Sequence, residues 1–112
     1  MDLVRLILFD MKISHKSTHR AENITADSQN ITSNCNTISF SNCGSDDCKI
    51  YFNDAFLNHP EEYYFLRSGT ILRLGNLVES IVQDTYDIVF MNASGKTQRV
   101  CIIRETFQLF IA

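Results

Sequence analysis

The sequence predicts a mainly β protein: an antiparallel β-sandwich or barrel-like single domain over residues 1–112, with at most one short helix. Three observations carry this. Apolar residues recur with period two in several short runs, the spacing that puts alternate side chains on one face of a strand. Clusters of Ser, Asn, Asp and Gly punctuate those runs at short intervals. Good helix candidates are few, the main one being the run at 77–84. An α+β domain with one helix packed on a sheet is the alternative.

The first run lies at 3–13, where Ile7, Phe9, Met11 and Ile13 alternate with Leu8, Asp10 and Lys12. Residues 14–36 are rich in Ser, Thr, Asn and His and predict a long polar loop carrying one or two edge strands. Alternation returns at Ile38 and Phe40, then at Cys48, Ile50 and Phe52. The turn-like cluster 41–47 between them makes the pair read as a β-hairpin. A connection follows at 53–60, with a helical turn at 54–58 and an extended His59 before Pro60. Strands are expected at 62–67 and 70–74, around a turn at Ser68-Gly69. Leu77, Val78, Ile81 and Val82 have helical spacing, with Asn76 as N-cap, so 77–84 reads as a short helix, a strand with Val78 and Val82 inward being the alternative. The end of the chain is β again, at 86–91, 100–103 and 107–111, with 92–96 as a hairpin loop. The expected core contains Ile7, Phe9, Ile50, Phe52, Ile88, Phe90, Val100 and Ile102.

Composition narrows the function classes. The chain of 112 residues is 45% apolar, enough for a core without a metal or disulfide, and eight Phe and four Tyr supply the large side chains in the absence of Trp. Ten basic residues against thirteen acidic ones give a net charge of −3. Nucleic-acid binding needs a basic face that neutralises several phosphates. The sole basic run, Lys12, Lys16 and Arg20 with His15 and His19, reads as a solvated strand end. No nucleic-acid or membrane partner is expected. The apolar stretch 3–9 is interrupted by Arg5 and lacks a small-residue cleavage site, so the expectation is a cytoplasmic protein. In that setting Cys35, Cys43, Cys48 and Cys101 are expected as free thiols. The three Asn-x-Ser/Thr sequons at Asn23, Asn30 and Asn92 then carry little weight.

Catalytic signatures are lacking. Gly44, Gly69, Gly75 and Gly95 are scattered through turns, so no phosphate-binding loop forms. The cysteines lack the tight Cys-x-x-Cys spacing of a zinc site. No nucleophile elbow occurs. The expectation is therefore no enzyme, no catalytic residue, no metal and no cofactor. Asp46, Asp47, Asp54, Glu61 and Glu62 flank one strand, with Tyr51, Tyr63 and Tyr64 close in sequence. Aromatic anchors with acidic neighbours suit a basic protein surface, since the rings supply contact area and the charges steer. The leading expectation is a small acidic protein-binding module. Its concrete form is an inhibitor or immunity-type protein that neutralises a basic partner such as a nuclease toxin. Its partner-binding residues would be Asp46, Asp47, Asp54, Glu61, Glu62, Tyr63 and Tyr64, on one face. A structural or assembly subunit of viral or phage type is the second expectation, and a small enzyme or metal-binding protein the third.

Overall fold

A computed structural model describes residues 13–75 and 81–111. In chain order it contains β1 (Ile13–Ile24), β2 (Ser28–Thr32), β3 (Thr37–Asn42), β4 (Cys48–Phe52), α1 (Ala55–Asn58), β5 (Tyr64–Leu66), β6 (Ile71–Gly75), β7 (Thr85–Phe90) and β8 (Val100–Ile111). The strands form two four-stranded antiparallel sheets, β1-β8-β3-β6 and β2-β7-β4-β5. The mainly β architecture read from the alternation is the one observed.

Period-two burial explains each inner strand. Along β3 the even residues Ile38, Phe40 and Asn42 are buried, and the residues between them are half-buried. Ile38, Phe40, Val100 and Ile102 of the first sheet face Cys48, Ile50, Leu66, Tyr86, Ile88 and Phe90 of the second. Phe40 and Tyr86 meet edge-to-face across the core, centroids 5.0 Å apart. Of the expected core, Ile50, Ile88, Phe90, Val100 and Ile102 are buried and Phe52 packs against them. Ile7 and Phe9 lie outside the described residues, as does the expected strand at 3–13 except for Ile13.

Three expectations are corrected. Residues 14–36 are not mainly loop: β1 and β2 occupy most of the segment, each at a sheet edge. The polar composition reflects edge positions, where one side of the strand and much of its surface face water. Segments 36–41 and 48–52 are not a hairpin, because β3 and β4 belong to different sheets. The same holds across 92–96, since β7 and β8 also belong to different sheets. A turn-like composition fixes that the chain reverses, not which sheet it enters. The expected helix at 77–84 falls mostly on residues outside those described. Its visible end is not helical, and Val82 forms an antiparallel bridge with Cys35.

All sequential connections cross between the sheets except β4 to β5. This is the double Greek-key connectivity of an eight-stranded jelly roll. Crossings 25–27, 43–47, 67–70 and 91–99 gather at one end of the sandwich. The connections 33–36 and 53–63, with residues 81–84, gather at the other. β8 continues past β3, whose last partner on it is Glu105, and pairs with β1 alone from Thr106 to Ile111.

Candidate functional site

The seven residues expected on one acidic face fall at opposite ends of β4. Asp46 and Asp47 precede that strand, and Asp54, Glu61, Glu62, Tyr63 and Tyr64 follow it. Five strand residues separate the ends by about 17 Å at 3.3 Å each.

Asp46 is internal, 1% exposed. Its carboxylate accepts the Asn92 N–H at 2.8 Å, the Ala93 N–H at 3.4 Å and the Gln98 amide at 3.5 Å. Asp47 Oδ1 accepts the Ser68 N–H at 2.8 Å. Asp27 does likewise for the Phe90 N–H, at 2.8 Å. Buried N–H groups that leave water need such acceptors. These acids therefore bind the crossing loops to one another, and Asp46 has no carboxylate surface to offer a partner. The buried Asn42 amide completes the end by donating to the Asp46 and Leu66 carbonyl oxygens.

The opposite end carries a different arrangement. After β4 the chain turns at Asn53, whose positive φ of 57° suits asparagine. Asn53 exchanges backbone and side-chain hydrogen bonds with Thr85, and its amide donates to Asp84. The single turn α1 follows, where the Asn58 amide donates to Asp54 Oδ2 at 2.9 Å. The Glu62 N–H then closes a turn on the His59 carbonyl at 2.9 Å. Tyr51 fastens this loop to the sheet: its hydroxyl donates to the Pro60 carbonyl at 2.8 Å. The Tyr51 ring meets Phe56 at 5.2 Å and Tyr63 at 5.6 Å. Lys49 Nζ lies 4.6 Å from the Tyr63 ring centre, a cation–π distance.

Phe52, Asp54, His59, Glu62, Tyr63 and Tyr64 line a shallow cleft of about 510 Å³. Tyr63 and Tyr64 are 42% and 45% exposed. Glu61 sits at the rim, and one donor atom each from His59, Glu61 and Glu62 lies within 4.8 Å of the others. Among the described residues, those three exposed groups are the ones that could hold a cation. A second hollow of about 450 Å³ on the far side of α1 is lined by Gln29, Phe56, Leu57 and Asp87 among others. Sequence reasoning set His59 aside as a loop residue and did not single out Phe52 for the site. The His-Pro-Glu-Glu run was the available signal for His59.

The cysteines divide by burial. Cys35 and Cys48 are buried, Cys101 is half-buried and Cys43 is exposed; all four are free thiols. Burial, with Asp46 and Asp47 adding to it, pushes the Cys48 thiol up to about 12. Burial also raises the Cys35 thiol, against the smaller opposing pull of Arg104 and Arg20. A thiol held protonated is a poor nucleophile and a poor metal ligand, so these two are core residues. No helix among the described residues is long and apolar enough to cross a membrane. Comparison with protein-family models, curated proteins and solved structures finds no significant match.

Proposed function

We propose that this chain is a protein-binding module whose recognition surface is the segment from Asp54 to Tyr64. The supporting observation is convergence: Asp54, Glu62, Tyr63 and Tyr64 share one cleft, with Glu61 beside it. The mount is rigid, because Tyr51 ties the loop to the sheet by a hydrogen bond and two ring contacts. A preordered loop loses little conformational entropy on binding. Exposed carboxylates around tyrosine faces suit a basic segment, with Arg or Lys taken between acid and ring. Asp46 and Asp47 drop out of the surface. An inhibitor of immunity type, masking the basic face of a partner such as a nuclease toxin, is the concrete form of this reading.

The test is selection from a displayed peptide library on the immobilised chain. Arg- and Lys-containing peptides should be enriched, and their binding should weaken as salt rises past about 0.15 M, where the screening length is near 8 Å. Glu61→Gln/Glu62→Gln should reduce affinity about tenfold or more while leaving the unfolding midpoint unchanged. Enrichment indifferent to charge, or binding untouched by the double variant, would reject the reading.

A further inference from the structure

We propose that β1 is a self-association edge: two copies pair antiparallel along Thr18–Ile24, around a two-fold axis at Ala21. The proposal concerns the opposite sheet from the cleft and does not depend on it.

The four sheet edges differ. β2 has five residues and a register shift between Ser28 and Ile31, β5 has three residues, and β6 has five and ends at Gly75 with φ 99°. Short length, bulges and charged side chains are usual protections of an edge against pairing. β1 is neither short nor bulged, and within Thr18–Ile24 its charges Arg20 and Glu22 are of opposite sign, so they can pair between two copies. It runs for twelve residues, pairs with β8 in unbroken register, and contains neither proline nor glycine. Among the described residues no strand pairs with its other side. Residues 18–23 are all exposed.

Charge selects the occupant and the register. Arg20 lies directly opposite Arg104 of β8, a like-charge cross-strand pair that is unfavourable. Arg104 has its own partners: Nη1 contacts Glu22 Oε1 at 3.0 Å, and Nε donates to the Thr32 carbonyl at 2.8 Å. Among the described residues, no hydrogen bond or ion pair engages the Arg20 side chain. A second copy supplies the missing acid. With Ala21 on the axis, Arg20 of each copy lies opposite Glu22 of the other, twice by symmetry. Oε1 of Glu22 is taken by Arg104, which leaves Oε2 to receive the incoming guanidinium. His19 then faces Asn23, and Thr18 faces Ile24. Ala21 adds no bulk at the axis and sits beside Ile103, which is 38% exposed. The two sheets become one continuous eight-stranded sheet, β6-β3-β8-β1-β1-β8-β3-β6.

Sedimentation equilibrium of the full chain at low salt should show a monomer–dimer equilibrium in the micromolar to millimolar range. Arg20→Glu places acid against acid and should weaken the dimer at least tenfold. The swap Arg20→Glu/Glu22→Arg recreates both intermolecular pairs and gives Arg104 a directly opposing acid, so it should fold and restore the dimer. In a Cys43→Ser/Cys101→Ser background, Ala21→Cys should form a disulfide-linked dimer on mild oxidation, and Ser17→Cys should not. A chain monomeric to about 1 mM, a dimer indifferent to Arg20→Glu, or a swap that folds but stays monomeric would each overturn the proposal. Cross-linking at Ser17→Cys in preference to Ala21→Cys would do the same.

Discussion

Tyr86 is fully buried, with its ring 5.0 Å from Phe40 and 5.3 Å from Phe52, and its hydroxyl has no hydrogen-bond partner among the described residues. The Ser33 hydroxyl near it points instead at the Val82 and Asp84 carbonyl oxygens, 2.8 and 2.7 Å away. The ring contributes contact area, while the oxygen was stripped of water with no protein bond in return. Tyr86→Phe should therefore keep or raise stability, within about 1 kcal/mol by urea unfolding at neutral pH. Phe40→Ala, which empties the other half of the ring pair, should cost about 3–5 kcal/mol. A Tyr86→Phe loss of similar size would reveal a hydroxyl bond that the geometry lacks. The pH dependence follows from the same burial. Burial, then the charges of Asp84 and Cys35, push the Tyr86 phenol up to about 12, and burial does the same to the Cys48 thiol. Both groups are neutral when protonated, and the folded state holds their protons longer than the unfolded chain does. Their stabilisation is intact below the unfolded values, roughly 8.5 for Cys and 10 for Tyr, and is lost as pH rises towards 12. The alkaline unfolding midpoint should accordingly move upward in Tyr86→Phe.

The crossing 43–47 shows how one connecting element is held. Gly44 and Cys43 both donate N–H groups to the Arg99 carbonyl at 3.0 Å, while Ser45 and Asp46 donate to the Thr97 carbonyl at 2.9 and 3.0 Å. The two backbones approach so closely that a Cβ at Gly44 would stand 2.3 Å from the Thr97 oxygen and 2.7 Å from the Arg99 nitrogen. Neither neighbour is a side chain that can swing away. Gly44→Ala should thus cost about 1–3 kcal/mol by overpacking. Gly95→Ala, where nothing lies within 4 Å but φ is 74°, should cost about 1 kcal/mol for the left-handed backbone alone. Urea midpoints for the two variants settle the order, and a smaller loss at Gly44 would refute the close approach. The sequence made this segment legible as a turn, through Ser41-Asn42-Cys43-Gly44-Ser45. It did not disclose that Asp46 is buried, because an acid that accepts backbone N–H groups and an acid in water look alike in a string of letters. For the same reason Asp46→Lys would unfold the end of the sandwich rather than test recognition. Strands with an inner face, such as β3, β4 and β7, declared themselves by alternation. β1 did not, since an edge strand with exposed residues lacks an apolar face and resembles loop.

At the scale of the whole molecule, the missing information was pairing. Period two says that a segment is a strand, and the turn lengths invite sequential hairpins. Yet among the described residues β4–β5 is the single sequential pair, and β8 sits between β1 and β3. This connectivity also explains why the expected acidic face came apart, since successive connections alternate between the two ends of the sandwich. It leaves function open, because jelly rolls serve coat subunits, lectins and cupins alike. The topology does make a sharp mechanical distinction within β8. Val100–Glu105 pairs with β1 on one side and β3 on the other, and places Val100 and Ile102 in the core. Residues 106–111 pair with β1 alone. A two-stranded ribbon beyond the sandwich is marginal by itself. Ending the chain after Glu105 should therefore leave a cooperative urea transition with a modest loss of stability. Ending it after Arg99 removes the strand that joins β1 to the sheet and strips two core side chains, so no cooperative transition should remain. Because its strands pair segments from opposite ends of the chain, the full-length protein should refold slowly for its size, in milliseconds to seconds. The Glu105 truncation retains those distant pairings and should refold at a similar rate. A transition lost equally in both truncations would mean that the ribbon, and not the β3-paired half of β8, holds the first sheet together.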